Sequence, residues 1–461
     1  MEKSKPLSSQ TLIITGIISI FAVIFLWGFL TKGVYALGFN MTLFSLLVFW
    51  LFLEGEKNIK KFFKSHISWI LPLGAIIVSF SLFENPFLKI INTFLLPFLL
   101  FFFFSYTRSV IEGKNTWNIL LIAKILGREV SLSNAHKTLV ESVQYEDHKK
   151  ELFQKLFTGW AILIGLNLVL IPLLASADKK FWQIVGNIFD IFSMETMLKI
   201  FIAFALLIVF IALKISWSNR LTISNVFEHK KLDSLTAGIV IGGTLITYFV
   251  FIATQLDAIM TQTLPLNVEA VSSLVKWGFW QLFFVSLINI GFFFVYFRKT
   301  NSTVQSLLLV FLLASIIILI SASQRMYLYV DTYGLSYEKF FASYSVLYFW
   351  ILLWLMTYLV LRKKENDILK TSLFLALWMY AALCIFPVEK TIFQINTKIS
   401  QRQVTKMQVY QSHILSIDIL DAVEKLKWTP LYESQSWELW KEKRLAETQK
   451  KKWYEKNINN F

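Results

Sequence analysis

Residues Thr11 to Leu30 read TLIITGIISIFAVIFLWGFL, twenty positions without a charged side chain. A helix rises about 1.5 Å per residue, so this stretch can cross the roughly 30 Å hydrocarbon core of a bilayer with its backbone bonded internally. Lys3 and Lys5 precede it in the manner of a signal peptide. Twenty apolar residues exceed an h-region and no small-x-small cleavage site follows, so the segment is expected to stay as an anchor. Ten further stretches share its character: Gly33 to Leu53, Ile67 to Phe83, Ile90 to Tyr106, Leu156 to Ala175, Met197 to Ile215, Ser234 to Leu256, Trp277 to Phe297, Ser306 to Ser323, Phe340 to Leu361 and Leu369 to Pro387. The predicted fold is all-α, a polytopic transmembrane helix bundle of about 11 spans. Its regions are a four-span part over 1–106, a cytoplasmic loop over 107–155, a seven-span part over 156–387 and a helical C-terminal tail over 388–461.

Composition agrees. Of 461 residues, 56% are hydrophobic and 16% charged, against a usual charged fraction of about 25%. That balance excludes a soluble globular enzyme and a disordered chain, and the lone Cys384 excludes a disulfide scaffold or a cysteine-ligated metal. Within the spans only Lys199, Lys214 and Lys370 are charged, each near an end where its stem can reach the interface. A coupling site for protons or ions therefore lacks its usual residues.

The net charge of +15 is topological. With the N-terminus cytoplasmic, the inner segments hold 24 Lys and Arg and the outer ones 8, a bias that fixes the orientation. It argues for an anionic membrane face and against nucleic acid as a partner. Eleven spans place the tail outside. The Ile67 to Phe83 stretch, short and interrupted by Pro72, is the weakest, and losing it would move the tail inside.

Between spans, Asn115 to Leu126 forms a short helix closed by Gly127, lying on the head groups or packing under the bundle. The tail suits helices over Gln403 to Leu426 and Ser434 to Lys456; their tryptophans either dock on the membrane surface or pack back on the bundle. On the outer side, Gln324 to Lys339 reads QRMYLYVDTYGLSYEK. Span nine continues here to about Thr332, with Gly334 as its left-handed stop and Ser336 capping span ten. Arg325, Tyr327, Asp331 and Tyr333, with Asp178 and Asp257 on the same side, are the candidate ligand or partner residues. An aromatic belt with a local ion pair is the favoured reading of the same residues, because Tyr and Trp collect at interfaces.

Catalytic chemistry is not indicated. The histidines His66, His136, His148, His229 and His413 have no ligand spacing, so no metal site is expected and no cofactor either. No phosphate-cradling GxxxxGK[ST], GxSxG elbow or paired-carboxylate site occurs. Gly238, Gly242 and Gly243 suit close helix packing, and Asn167, Gln255, Gln281 and Asn289 suit interhelical hydrogen bonds.

Three stretches carry a resemblance. Leu174-Ala175-Ser176-Ala177-Asp178 leading to Phe181, Gly278-Phe279-Trp280-Gln281-Leu282 leading to Asn289, and Arg325 to Ser336 are similar to landmarks of a bacterial family of multi-pass membrane proteins catalogued only as a domain of unknown function. In the tail, Asp421-Ala422-Val423 and Trp437 to Leu445 are compatible with that family's ending, although Asn396 lacks the Pro-Asp expected after it. The resemblance runs roughly from Leu156 to the C-terminus. It implies a bacterial plasma-membrane location and supplies no catalytic residue.

Three functions follow as expectations. The first is a non-catalytic sensor or accessory component with an extracytoplasmic recognition cap, whose partners are the lipid bilayer and a membrane protein or small outer ligand. The second is a transporter of a neutral or amphipathic solute, favoured by an open polar cavity at mid-depth. The third is a membrane-embedded transferase. Orientation is testable: a membrane-impermeant thiol reagent should label Asp257→Cys from outside and leave Lys137→Cys untouched, and the reverse result refutes the N-in arrangement.

Overall fold

A computed structural model of the chain describes residues 9–54, 56, 58–111, 125, 194–218, 221–223, 234, 237–239, 241–246, 249, 283, 285–297, 300–362, 368–403, 415–426 and 434–458. The helices are α1 (Ser9–Lys32), α2 (Phe39–Leu53), α3 (Ile59–Leu82), α4 (Pro86–Thr107) and α5 (Met194–Ser218). Next come the short apolar helices α6 (Ala237–Ile246) and α7 (Val285–Tyr296). The rest are α8 (Ser302–Tyr333), α9 (Tyr337–Leu361), α10 (Ile368–Cys384), α11 (Val388–Gln403), α12 (Leu420–Leu426) and α13 (Ser434–Gln449). Two three-residue strands, Ser109–Ile111 and Leu221–Ile223, pair in parallel and are the exception to an otherwise helical bundle.

Among the described residues, six helices are long and apolar enough to cross a membrane, or seven if α10 and α11, bent by 71°, count as one. Ten of the predicted spans carry helix here. The Leu156 to Ala175 span, Asp178, Asp257 and nearly all of the 107–155 loop lie outside the described residues. The helices leave apolar stripes uncovered, Ile13, Ile17, Ile20 and Ile24 on α1 and Val310, Leu313, Ile317 and Ile320 on α8. Their spacing of three and four residues makes each stripe one helix face. Such faces are stable against lipid and not against water, so the chain is a multi-pass membrane protein that contacts the bilayer.

Local chemistry sets the boundaries. The weak third span is a full 24-residue helix: it starts earlier than predicted, with Asn58 accepting from Lys61 N–H at 2.9 Å, and accommodates Pro72 and a non-helical His66. At the other end of the hairpin, Pro86 opens α4 and Asn85 Oδ1 accepts from Leu88 N–H at 3.2 Å. Span nine continues as predicted, to Tyr333. Gly334 at φ 75° ends it, donating its N–H to Val330 O at 2.8 Å, and Ser336 caps α9 with Glu338 in the first turn.

Contacts sort the loops into two ends. At one end Arg108 pairs with Glu56 at 3.0 Å, Lys214 reaches the Glu54 carbonyl at 2.8 Å, and the two strands pair. The segments following α1, α3, α8 and α10 meet at the opposite end, the cap, together with the C-terminal tail. One apolar core joins α1 to α4 with α10, around Phe49, Trp69, Phe80 and Phe103; another joins α6 to α9, around Phe293, Phe311 and Leu353. A third, with Leu88, Leu335, Ile392, Phe393, Trp437 and Trp440, lies in the cap.

The tail packs back on the bundle. Its helices differ from the predicted pair: α11 begins directly after Pro387, then follow a 3-10 turn at Ile417–Ile419, α12, α13 and a final 3-10 turn at Trp453–Glu455. Phe39 N–H donates to Lys456 O at 3.1 Å, and Glu455 pairs with Lys32 at 2.9 Å. Gly38 is obligatory at this crossing, because a Cβ there would collide with the Lys456 carbonyl oxygen. Gly38→Ala should lower stability in detergent by about 1–3 kcal/mol, the usual cost of overpacking. Faster proteolysis after residue 434 should accompany it.

Candidate functional site

The cap is built around a carboxylate. Glu84 lies in the turn between α3 and α4 and is only 4% exposed. Lys451 pairs with one of its oxygens; Lys89, one turn into α4, and Asn457 Nδ2 approach the other at 3.4 and 2.9 Å. Lys89 also donates to the Leu37 carbonyl, and Glu84 N–H donates to Asp418 Oδ2 at 2.6 Å. Two acids and two lysines therefore balance. Removing charges from water costs several kcal/mol each, so such a group persists only as a compensated set.

A second set surrounds Glu389, in the first turn of α11. It accepts from the Tyr337 hydroxyl of α9 and from both the N–H, at 2.8 Å, and the hydroxyl of Ser416. Burial, then the neighbouring Asp418 carboxylate, push Glu389 up to about 7, against three hydrogen bonds that favour its charged form. Two turns further on, Asn396 clamps the loop after Gly334: Oδ1 accepts from Leu335 N–H at 2.6 Å and Nδ2 donates to Leu335 O at 2.9 Å.

Two cavities open at the cap. One of about 190 Å³ has Asn85, Glu389, Lys390, Asp418 and Asp421 on its wall, with Phe83, Leu88 and Phe386 as apolar lining. The other, about 350 Å³, lies between α8 and α11, lined by Tyr327, Val330, Asp331, Ile399 and Arg402 among others. Among the described residues, no group of three His, Cys, Asp or Glu side chains is arranged to hold a metal ion.

The predicted site residues separate. Asp331 pairs with Arg402 of α11, a residue the sequence reading did not connect to it. Tyr327, 66% exposed, shares that groove. Tyr333 packs on Tyr329 with ring centroids 5.1 Å apart, and Lys339 Nζ lies 4.2 Å from the Tyr329 ring. Arg325 lies on the outer part of α8; its side chain, like Asp178 and Asp257, is outside what the structure describes. Glu84, Lys89, Glu389, Asp418 and Lys451 were missed as a set. Asn85-Pro86 is a helix-start signal beside Glu84 that the span placed from Ile90 passed over, and nothing local identifies Lys451 as a partner of Glu84.

Over residues 70–426 the chain matches the family described as a domain of unknown function, DUF4153. The chain belongs to that family. The DUF4153 match starts inside α3, so the boundary expected near Leu156 was too late, and α4 with Glu84 and Lys89 falls within it. It ends with α12, leaving α13, Lys451 and Glu455 beyond the matched segment. No curated protein matches the chain, and no solved structure does.

Three outcomes are expected. Glu84→Gln leaves Lys89 and Lys451 without their counter-charge and should destabilise the protein by about 3 kcal/mol or more in detergent melts. By contrast, Arg402→Ala, at an exposed pair, should melt like wild type. Glu389 is a raised carboxylate, so its contribution to stability is complete below its ordinary value of 4.5 and is lost as pH rises through about 7. Melting of wild type should fall by at most about 3 kcal/mol between those limits, and Glu389→Gln should lack that component.

Proposed function

We propose that the protein is a non-catalytic membrane component, a sensor or accessory subunit, whose cap recognises a small ligand or a membrane protein partner outside the cytoplasm. The observation that carries this reading is where the polar chemistry sits. Both cavities described above open at the cap, while the first core is filled at depth by stacked aromatics, with Phe49 and Phe103 centroids 6.1 Å apart and Phe52 and Phe104 at 4.8 Å. Carboxylates that would serve a transferase as bases are already engaged, Glu389 by Tyr337 and Ser416.

The cation bias supports placing the cap outside and the N-terminus in the cytoplasm, in the plasma membrane of a bacterium. The recognition surface then includes Tyr327, Asp331 and Tyr333 with Arg402. Topology assigns Arg325, Asp178 and Asp257 to the same side.

Sealed proteoliposomes separate recognition from transport. Under an osmotic gradient of glycerol, sugars or small amides, vesicles with the protein should swell no faster than empty ones, and an imposed pH gradient should not decay faster. Protein-dependent swelling would establish the transporter instead.

A further inference from the structure

We propose that the smaller cap cavity, between the start of α4 and α11, binds a small ammonium group carried next to an oxygen acceptor, the chemistry of an ethanolamine head group or a free amino alcohol. This deepens the recognition reading and rests on it.

Charge gives the first half of the ligand. The wall carries Glu389, Asp418 and Asp421 against one cation, Lys390. Asp418 is already set against Lys89 and Lys451, so the acids left to the cavity are Glu389 and Asp421 against the single ammonium of Lys390, and an entering cation compensates the second of them. Asp421 is 78% exposed at its side chain and lies 4.0 Å from Lys390, so it stays hydrated and open to a competing cation. Phe83 and Phe386 supply aromatic lining, and a cation gains further where ring faces meet it away from bulk water.

Asn85 gives the second half. It lies on the cavity wall, 3% exposed, and its Oδ1 is committed to the N–H of Leu88. Its Nδ2 is buried without a hydrogen-bond partner. A buried unmet donor costs about 1–3 kcal/mol, which an oxygen acceptor would recover. Acceptor and ammonium must sit close together, because the cavity is only about 190 Å³. A bare metal ion fits less well, since the carboxylates are not grouped as ligands.

Two sources share this chemistry: a lipid head group, plausible because the cavity lies where spans end, and a free amine. The test uses the full chain. In detergent, ethanolamine should give a saturable calorimetric or thermal-shift response, and n-propylamine, which lacks the acceptor, a response at least about tenfold weaker. Asn85→Ser keeps a capping oxygen and withdraws the amide Nδ2, its shorter hydroxyl being held at the cap, and Asp421→Asn alters an exposed position; each should weaken ethanolamine binding about tenfold. The unliganded melting temperature of Asp421→Asn should equal that of wild type. In mixed phosphatidylethanolamine and phosphatidylglycerol nanodiscs, loss of free ethanolamine binding together with retention of phosphatidylethanolamine in native mass spectra assigns the site to the head group. Undiminished binding in those discs assigns it to a free amine. The proposal is overturned by the absence of any saturable response to ethanolamine together with no phosphatidylethanolamine enrichment, or by a response that both variants leave unchanged. A protein that ignores ethanolamine yet swells no vesicles loses only this ligand; one that binds it and swells them loses only the sensor reading.

Discussion

Glu84 is the constraint on which the cap depends. A carboxylate in the turn after a membrane helix, shielded by the Leu37 segment on one side and by the tail on the other, has no water to stabilise it. Its compensation comes from two separate places, Lys89 in α4 and Lys451 with Asn457 at the C-terminal end, while Asp418 holds the turn through the backbone N–H of Glu84. Each partner is held elsewhere as well. Lys89 ties α4 to the turn after α1, and the final segment is pinned again by Glu455 to Lys32 and by Lys456 O to Phe39. Satisfying one charge therefore fixes the ends of four helices relative to one another.

The same closure positions the cavity and the groove. Pro387 stops α10 from continuing and lets α11 leave at 71°, which lays Val388, Ile392 and Phe393 on the cap core beneath Trp437. With that face buried, Glu389 is carried to Tyr337 and Ser416, and Asn396 to Leu335. Arg402, in the last turn of α11 and beyond the core, reaches Asp331 at the surface. A single amphipathic helix thus sets the geometry of both openings.

What was legible in the sequence was whatever is decided within about one helix turn. Apolar length located the spans, Gly334 and Ser336 marked the turn between α8 and α9, and the tryptophans of the tail pointed to a docking face. The partners were not legible, because Lys451 lies 367 positions from Glu84 and Arg402 lies 71 from Asp331. Nothing in either neighbourhood separates a paired lysine from one among many on a solvated tail. In the tail, α13 starts at the expected Ser434 and α12 ends at the expected Leu426, whereas α11 was missed: a break at Pro387 reads as the end of structure, while the pattern Val388, Ile392, Phe393, Ile399 restarts a helix at once.

Asp418 links the two buried sets. One of its oxygens holds the backbone of Glu84, and the residue also lines the cavity and raises the proton affinity of Glu389. A cation settling against Asp418 weakens the repulsion that keeps Glu389 neutral and draws on the same carboxylate that steadies the α3–α4 turn. An occupant and the α3–α4 turn therefore compete for one carboxylate. A cation seated only on exposed Asp421 leaves that carboxylate to the turn, while one seated on Asp418 bears on Glu84 and Glu389 together.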